Sequence, residues 1–169
     1  MRTIALFLFI FSLILTGCGG SSVITTEDGR ELNGQQQREE LERITSMIEN
    51  GNFTFTVQSV NPQGSSPIYP STEYTLSAED GTYRAYLPYF GRSYRAEYGG
   101  NGGIDFEGKP EELEIETNRR RNKVTVSFTI DQPDEQYDVT LEIGAGSYGT
   151  MTIISPYRRA ISYYGNISG

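Results

Sequence analysis

Two hydrophobic periods divide the chain. Between Gln35 and Asn50, apolar side chains recur at spacings of three and four, at Leu41, Ile44 and Ile48, with Met47 beside them. That spacing places them on one face of a helix. Asn33 is the predicted cap, and Gln36 three places on completes a capping box. Asn50-Gly51 is the predicted stop, because Gly accepts the left-handed conformation past a helix end. From Phe53 onward the period falls to two. Phe53, Phe55 and Val57 alternate with Thr54, Thr56 and Gln58, and Tyr74 and Leu76 with Thr75 and Ser77. Leu113 and Ile115 alternate with Glu112, Glu114 and Glu116. Val124, Val126, Phe128 and Ile130 follow the same rule, as do Tyr137, Val139, Leu141 and Ile143. Such runs are strands with one buried and one wet face, as in antiparallel sheets.

Turn signals separate the runs. They include Asn61-Pro62-Gln63-Gly64, Glu79-Asp80-Gly81, Asn101-Gly102-Gly103, Gln132-Pro133-Asp134-Glu135 and Gly144-Ala145-Gly146. Their spacing predicts a mainly β fold, an antiparallel meander of about 8–10 strands with one N-terminal helix. A meander hides its apolar face by closing on itself or by packing two sheets. We expect a barrel-like or strongly curved sheet, with the helix covering one face or end.

The N-terminus has a different character. Arg2 precedes an apolar run from Ile4 to Leu15, broken only by Ser12. As a helix this run is about 18 Å long, and a bilayer core takes about 20 apolar residues. It has the length of a signal-peptide core. Leu15-Thr16-Gly17-Cys18 resembles a bacterial lipobox, in which the chain is cut before the Cys and the thiol becomes a lipid thioether. The expected division is a lipoprotein signal peptide over 1–17, a flexible tether over 18–34 and one β-rich domain over 35–169. Residue 19 is Gly, not Asp, which by resemblance to enterobacterial sorting rules points to the outer membrane. No acidic run follows Cys18 at once, which favours the periplasmic face.

Composition then narrows the chemistry. There is no His, no Trp and a single Cys. A His–Cys zinc site, a His-based nucleophile system and an intramolecular disulfide are all excluded. No cofactor is expected. Fourteen Lys and Arg stand against 22 Asp and Glu, a net charge of -8. An exported acidic chain is no partner for nucleic acid. The one basic cluster, Arg119-Arg120-Arg121-Asn122-Lys123, falls in a predicted turn, as a solvated hairpin tip or a contact for lipid phosphates. Asp131, Asp134, Glu135 and Asp138 do not have EF-hand spacing. The acids Glu107, Glu111, Glu112, Glu114 and Glu116 read as a wet sheet face.

Tyr86-Leu87-Pro88-Tyr89-Phe90-Gly91-Arg92-Ser93-Tyr94 is the densest feature of the chain. Pro88 interrupts any central strand, and Gly91 is expected in a conformation closed to other residues. The segment reads as a strand end, a bend and a strand start, with Arg92 hydrogen-bonding carbonyls or a carboxylate. One reading makes it a structural corner. The other makes Tyr86, Pro88, Tyr89, Phe90, Gly91, Arg92 and Tyr94 a binding mouth for a sugar, lipid or peptide, with the Gly-rich stretch from Gly99 to Gly103 as a mobile rim.

This run, with Ile48-Glu49-Asn50-Gly51 leading into Phe53-Thr54-Phe55, Gly102-Gly103-Ile104-Asp105-Phe106 and the closing Ile161 to Ile167, resembles the domain of unknown function 4251 family. The resemblance spans about residues 40 to 169. Members occur mostly among envelope and lipid-anchored proteins of Bacteroidetes, so it implies one envelope domain and assigns no catalytic residue. The leading expectation is a non-catalytic binding or assembly module, tied to the membrane through Cys18 and meeting an envelope protein, glycan or lipid. The alternatives are a glycan-acting hydrolase with paired carboxylates, or a purely structural subunit of an outer-membrane complex.

Overall fold

The computed structural model describes residues 24–26, 29–94 and 102–169. Cys18, the apolar run before it and Gly99-Gly100-Asn101 lie outside the described residues. Two short strands, β1 (Ile24–Thr25) and β2 (Glu31–Leu32), precede the helix α1 (Gly34–Glu49). Nine strands follow: β3 (Phe53–Pro62), β4 (Thr75–Glu79), β5 (Thr82–Leu87), β6 (Ile104–Gly108), β7 (Glu111–Asn118), β8 (Lys123–Asp131), β9 (Gln136–Gly144), β10 (Tyr148–Ser155) and β11 (Arg158–Ser168).

They form one antiparallel sheet in the order β6-β5-β4-β3-β11-β10-β9-β8-β7. The first and last of the nine pair at its centre, with Phe55 opposite Ile167. The two edge strands are neighbours in sequence, joined by Lys109-Pro110. The sheet is curled into a half-barrel, as the period-two pattern predicted. Its two wings meet across the concave face. The rings of Tyr83 and Phe128 are 4.6 Å apart, those of Phe106 and Tyr137 5.5 Å, and Gln132 Nε2 donates to Glu107 O at 3.1 Å.

The ladder stops at the β6–β7 edges for a physical reason. Pro110 has no N–H to offer. Glu112 has a φ of 51°, and the register slips between Glu111 and Glu114. A bulge of this kind bends an edge strand away from pairing. The expected buried face of β7 is therefore largely missing: Leu113 is 44% exposed and Ile115 only half-buried.

The inward residues of the other strands make one apolar core. Helix α1 adds Leu41, Ile44 and Ile48 to it, each contributing about 1.5–3 kcal/mol on full burial. The capping box is formed: Asn33 Oδ1 accepts from the Gln35 and Gln36 amides, and Gln36 Oε1 accepts from the Asn33 amide at 3.0 Å. Part of the segment expected as tether is folded. Ile24 of the β1–β2 hairpin packs on the core. A Cβ at Gly146 would lie 2.6 Å from Thr25 O, so the β9–β10 turn and the hairpin meet backbone to backbone.

Candidate functional site

The aromatic run forms a corner where four stretches of chain converge. β5 ends at Leu87, and Pro88 turns the chain out of the sheet. Tyr163 of β11, fully buried, donates its hydroxyl to Pro88 O at 3.0 Å. The chain then folds over the β10–β11 hairpin. Tyr94 N donates to Tyr157 O at 2.8 Å and Arg159 N to Arg92 O at 3.1 Å, a short antiparallel ladder around Ser93 and Arg158. The Tyr89 hydroxyl, 2.9 Å from Arg92 O and 3.1 Å from Arg159 O, shares its proton between them.

Arg158 is the centre of this corner. Its Nε lies 3.1 and 3.0 Å from the two oxygens of Glu135. Its Nη1 donates to Gly102 O at 3.2 Å and Gly103 O at 3.0 Å. Its guanidinium carbon is 5.1 Å from the centre of the Tyr89 ring, within cation–π range. Glu135 also accepts from the Tyr137 hydroxyl at 2.9 Å and from the Ser155 hydroxyl. Both side chains of the ion pair are buried, 7% and 11% exposed. The planar fork of an arginine suits this task, serving a carboxylate and two carbonyls together.

The expected residues divide into two groups. Pro88, Tyr89 and Gly91 shape the corner. Gly91 serves by its size rather than by an unusual φ, since a Cβ there would collide with the Tyr89 ring and hydroxyl. Gly103 is equally confined, because a Cβ would stand 2.8 Å from Leu87 O. Arg92 departs from expectation: it contributes its backbone carbonyl, and the arginine that bonds carbonyls and a carboxylate is Arg158. Tyr86, Phe90 and Tyr94 are 53%, 48% and 68% exposed, with Tyr157 beside them at 42%. Tyr86 lies on the outer face of the sheet, its ring 5.6 Å from that of Tyr74.

The corner's polar groups are occupied by one another. Burial pushes the Tyr163 hydroxyl far up and raises that of Tyr89, the latter opposed by the Arg158 charge. Neither is poised to exchange protons near neutrality. Among the described residues no three of His, Cys, Asp and Glu gather as they would around a metal ion. Of the acidic group near the β8–β9 turn, Glu135 is taken by Arg158, and Asp138 accepts from the Thr129 hydroxyl at 3.1 Å. Also among the described residues, no helix is long and apolar enough to cross a membrane.

Arg158, Glu135 and Ser155 are absent from the sequence-derived site. Arg158 and Glu135 stand 23 positions apart, and only the hairpin register of β9, β10 and β11 brings them together. The sole local signal is an arginine two places after Pro156, a residue type that favours turns, which does not distinguish it from Arg159.

The fold is a curled, mainly β half-barrel, closed at one end by a corner whose buried ion pair is braced by hydroxyls and carbonyls. The chain matches the family described as "Domain of unknown function (DUF4251)" over residues 35–167, and it belongs to that family. Its fold is similar to the crystal structure of a DUF4251 family protein from Bacteroides eggerthii DSM 20697. The TM-score is 0.60 at 14% identity, over 80% of this chain and 91% of that one. Among curated proteins none matches.

Proposed function

We propose that this chain is a lipid-anchored envelope protein, held through Cys18 at the periplasmic face of the outer membrane, and that it works as a non-catalytic binding or assembly module. One observation carries the binding part. Tyr86, Phe90 and Tyr94 project from a backbone braced by a buried ion pair. Rings on a fixed backbone lose little freedom when they meet a partner, and tyrosine offers an apolar face with a polar tip. The corner's buried ion pair and the hydroxyls of Tyr89, Tyr137, Ser155 and Tyr163 are engaged internally, so its outward chemistry lies with the exposed rings. A packed interior also suits a purely structural subunit of an envelope complex. That reading predicts capture through the sheet edges rather than the corner.

Two measurements test the proposal. Radiolabelled palmitate is expected in the wild-type chain and not in Cys18→Ala; equal labelling removes the anchor. A photo-reactive residue at Phe90 or Tyr94, activated in native membranes, is expected to capture a reproducible partner. The same residue at Glu116, on the edge strand, serves as the comparison. Equal capture from both places sinks the corner as a binding site.

A further inference from the structure

The start of the described body at Ile24 and the basic cluster sit at the same end of the molecule, a placement that sequence order does not reveal. Lys123 of β8 is paired with Gly144 of β9, so the β7–β8 turn and the β9–β10 turn lie side by side. Ala145 N donates to Asn122 O at 3.1 Å, and Asn122 Nδ2 donates to Gln37 Oε1 of α1 at 2.8 Å. The β1–β2 hairpin rests on Gly146 in that second turn. Ile24, where the described body begins, is therefore a neighbour of the turn that carries Arg119, Arg120 and Arg121. Between Cys18 and Ile24 the covalent chain spans at most about 20 Å even when fully extended. The aromatic corner is at the other end: β10 runs eight residues from Tyr148 to Ser155, about 25 Å, before the chain reaches Arg158.

We infer that the Arg119-Arg120-Arg121 turn docks on the anionic headgroups of the leaflet that holds the Cys18 lipid, and so points the aromatic corner away from the membrane. The inference rests on the lipid anchor proposed above. The charges support it. Arg119 is 3.7 Å from Glu42, Arg43 pairs with Glu40 and Lys123 with Glu142. Arg120 and Arg121 are exposed and make no ion pair among the described residues. Glu27 and Asp28 fall between β1 and β2 in sequence, so the attraction comes from two free cations at a tip, not from the net charge of that end. The rest of the molecule is repelled. Losing Arg2 with the signal peptide turns the net charge of -8 into -9. An acidic body with a basic tip beside its tether turns that tip toward an anionic surface. Each free arginine near such a surface strengthens the contact roughly fivefold.

The test uses the full chain, exported and processed by a bacterial host and reconstituted into vesicles of phosphatidylglycerol and phosphatidylcholine. A fluorophore is attached at Glu116→Cys, beside the turn, or at Gln63→Cys, past the end of β3 that pairs with the start of β11. It is quenched by headgroup-labelled lipid. Stronger quenching at 116 than at 63 is expected. The difference should vanish in pure phosphatidylcholine and after Arg119, Arg120 and Arg121 are all replaced by Ser. It should vanish also at about 1 M salt, where the screening length shrinks to ~3 Å. Equal quenching at the two sites overturns the orientation, and a difference that survives the triple substitution overturns the docking through the arginines; either leaves the anchor standing. A chain without palmitate on Cys18 overturns the anchor and the orientation together.

Discussion

The two ends of the half-barrel use the same residue types for opposite ends. At the aromatic corner an arginine and a glutamate are withdrawn from water and further bonded by tyrosine, serine and backbone. At the opposite end, by the N-terminal hairpin, Arg43 and Glu40 form a comparable pair at 2.7 Å, but with the arginine half exposed. Burial decides what each pair is worth. A buried pair is costly to break because one partner is left charged and dry. An exposed pair exchanges a weak attraction for water at little loss.

The largest expected effect is therefore at Arg158. Replacing it by Met should cost about 3–5 kcal/mol in urea denaturation, or a fall in Tm of about 10 °C for a chain of this size. Adding Glu135→Leu should recover part of that loss; strictly additive losses would show that the two residues do not act as a pair. Next comes Tyr163→Phe, which leaves Pro88 O without its donor and should cost about 1–3 kcal/mol. Alkaline titration checks the same residue. Burial raises the hydroxyls of Tyr163 and Tyr83, so their contribution is complete below the unfolded value near 10. It declines as pH rises beyond that, toward the raised folded values. Tyr163→Phe should make this decline shallower.

Within the corner, Tyr89 and Arg92 should separate cleanly. Tyr89→Ala removes a cation–π contact and a shared hydrogen bond, at about 2 kcal/mol. Arg92→Ala keeps the backbone carbonyl and should fall within about 0.5 kcal/mol of wild type. Equal losses would mean that the Arg92 side chain supports the corner after all. At the hairpin end, Asn33→Ala should cost about 1 kcal/mol through the helix cap. Smallest is Arg43→Ala, at about 0.5 kcal/mol or less, and less again in salt. The Arg43 hydrogen bond holds the Glu40 carboxyl below its usual range, against the effect of burial. That small stabilisation is present above the unfolded value near 4.3 and fades as pH falls through the folded one. A loss at Arg43 rivalling that at Arg158 would erase the contrast between the two ends.

Much of the framework was readable along the chain because its causes are local. The capping box at Asn33 and Gln36, the stripe at Leu41, Ile44 and Ile48, and the alternation from Val124 to Ile130 each depend on neighbours within a few positions. Where reading along the chain went astray, a distant contact had intervened. β7 alternates correctly in sequence, yet as a bulged edge strand it has little to pack against. Gly91 suggests a backbone demand, but its size is required by the Tyr89 ring folded over it. Part of the spacer before α1 pairs as a hairpin because the β9–β10 turn is there to receive it.

Period, caps and turn residues were enough to determine a helix followed by antiparallel strands with one apolar face, since such preferences are carried by each residue and its near neighbours. Which strands became edges, which arginine entered the corner and which end the N-terminal hairpin reached were settled only when the sheet curled. Those outcomes depend on register between segments tens of residues apart, and on which charges the curl removed from water.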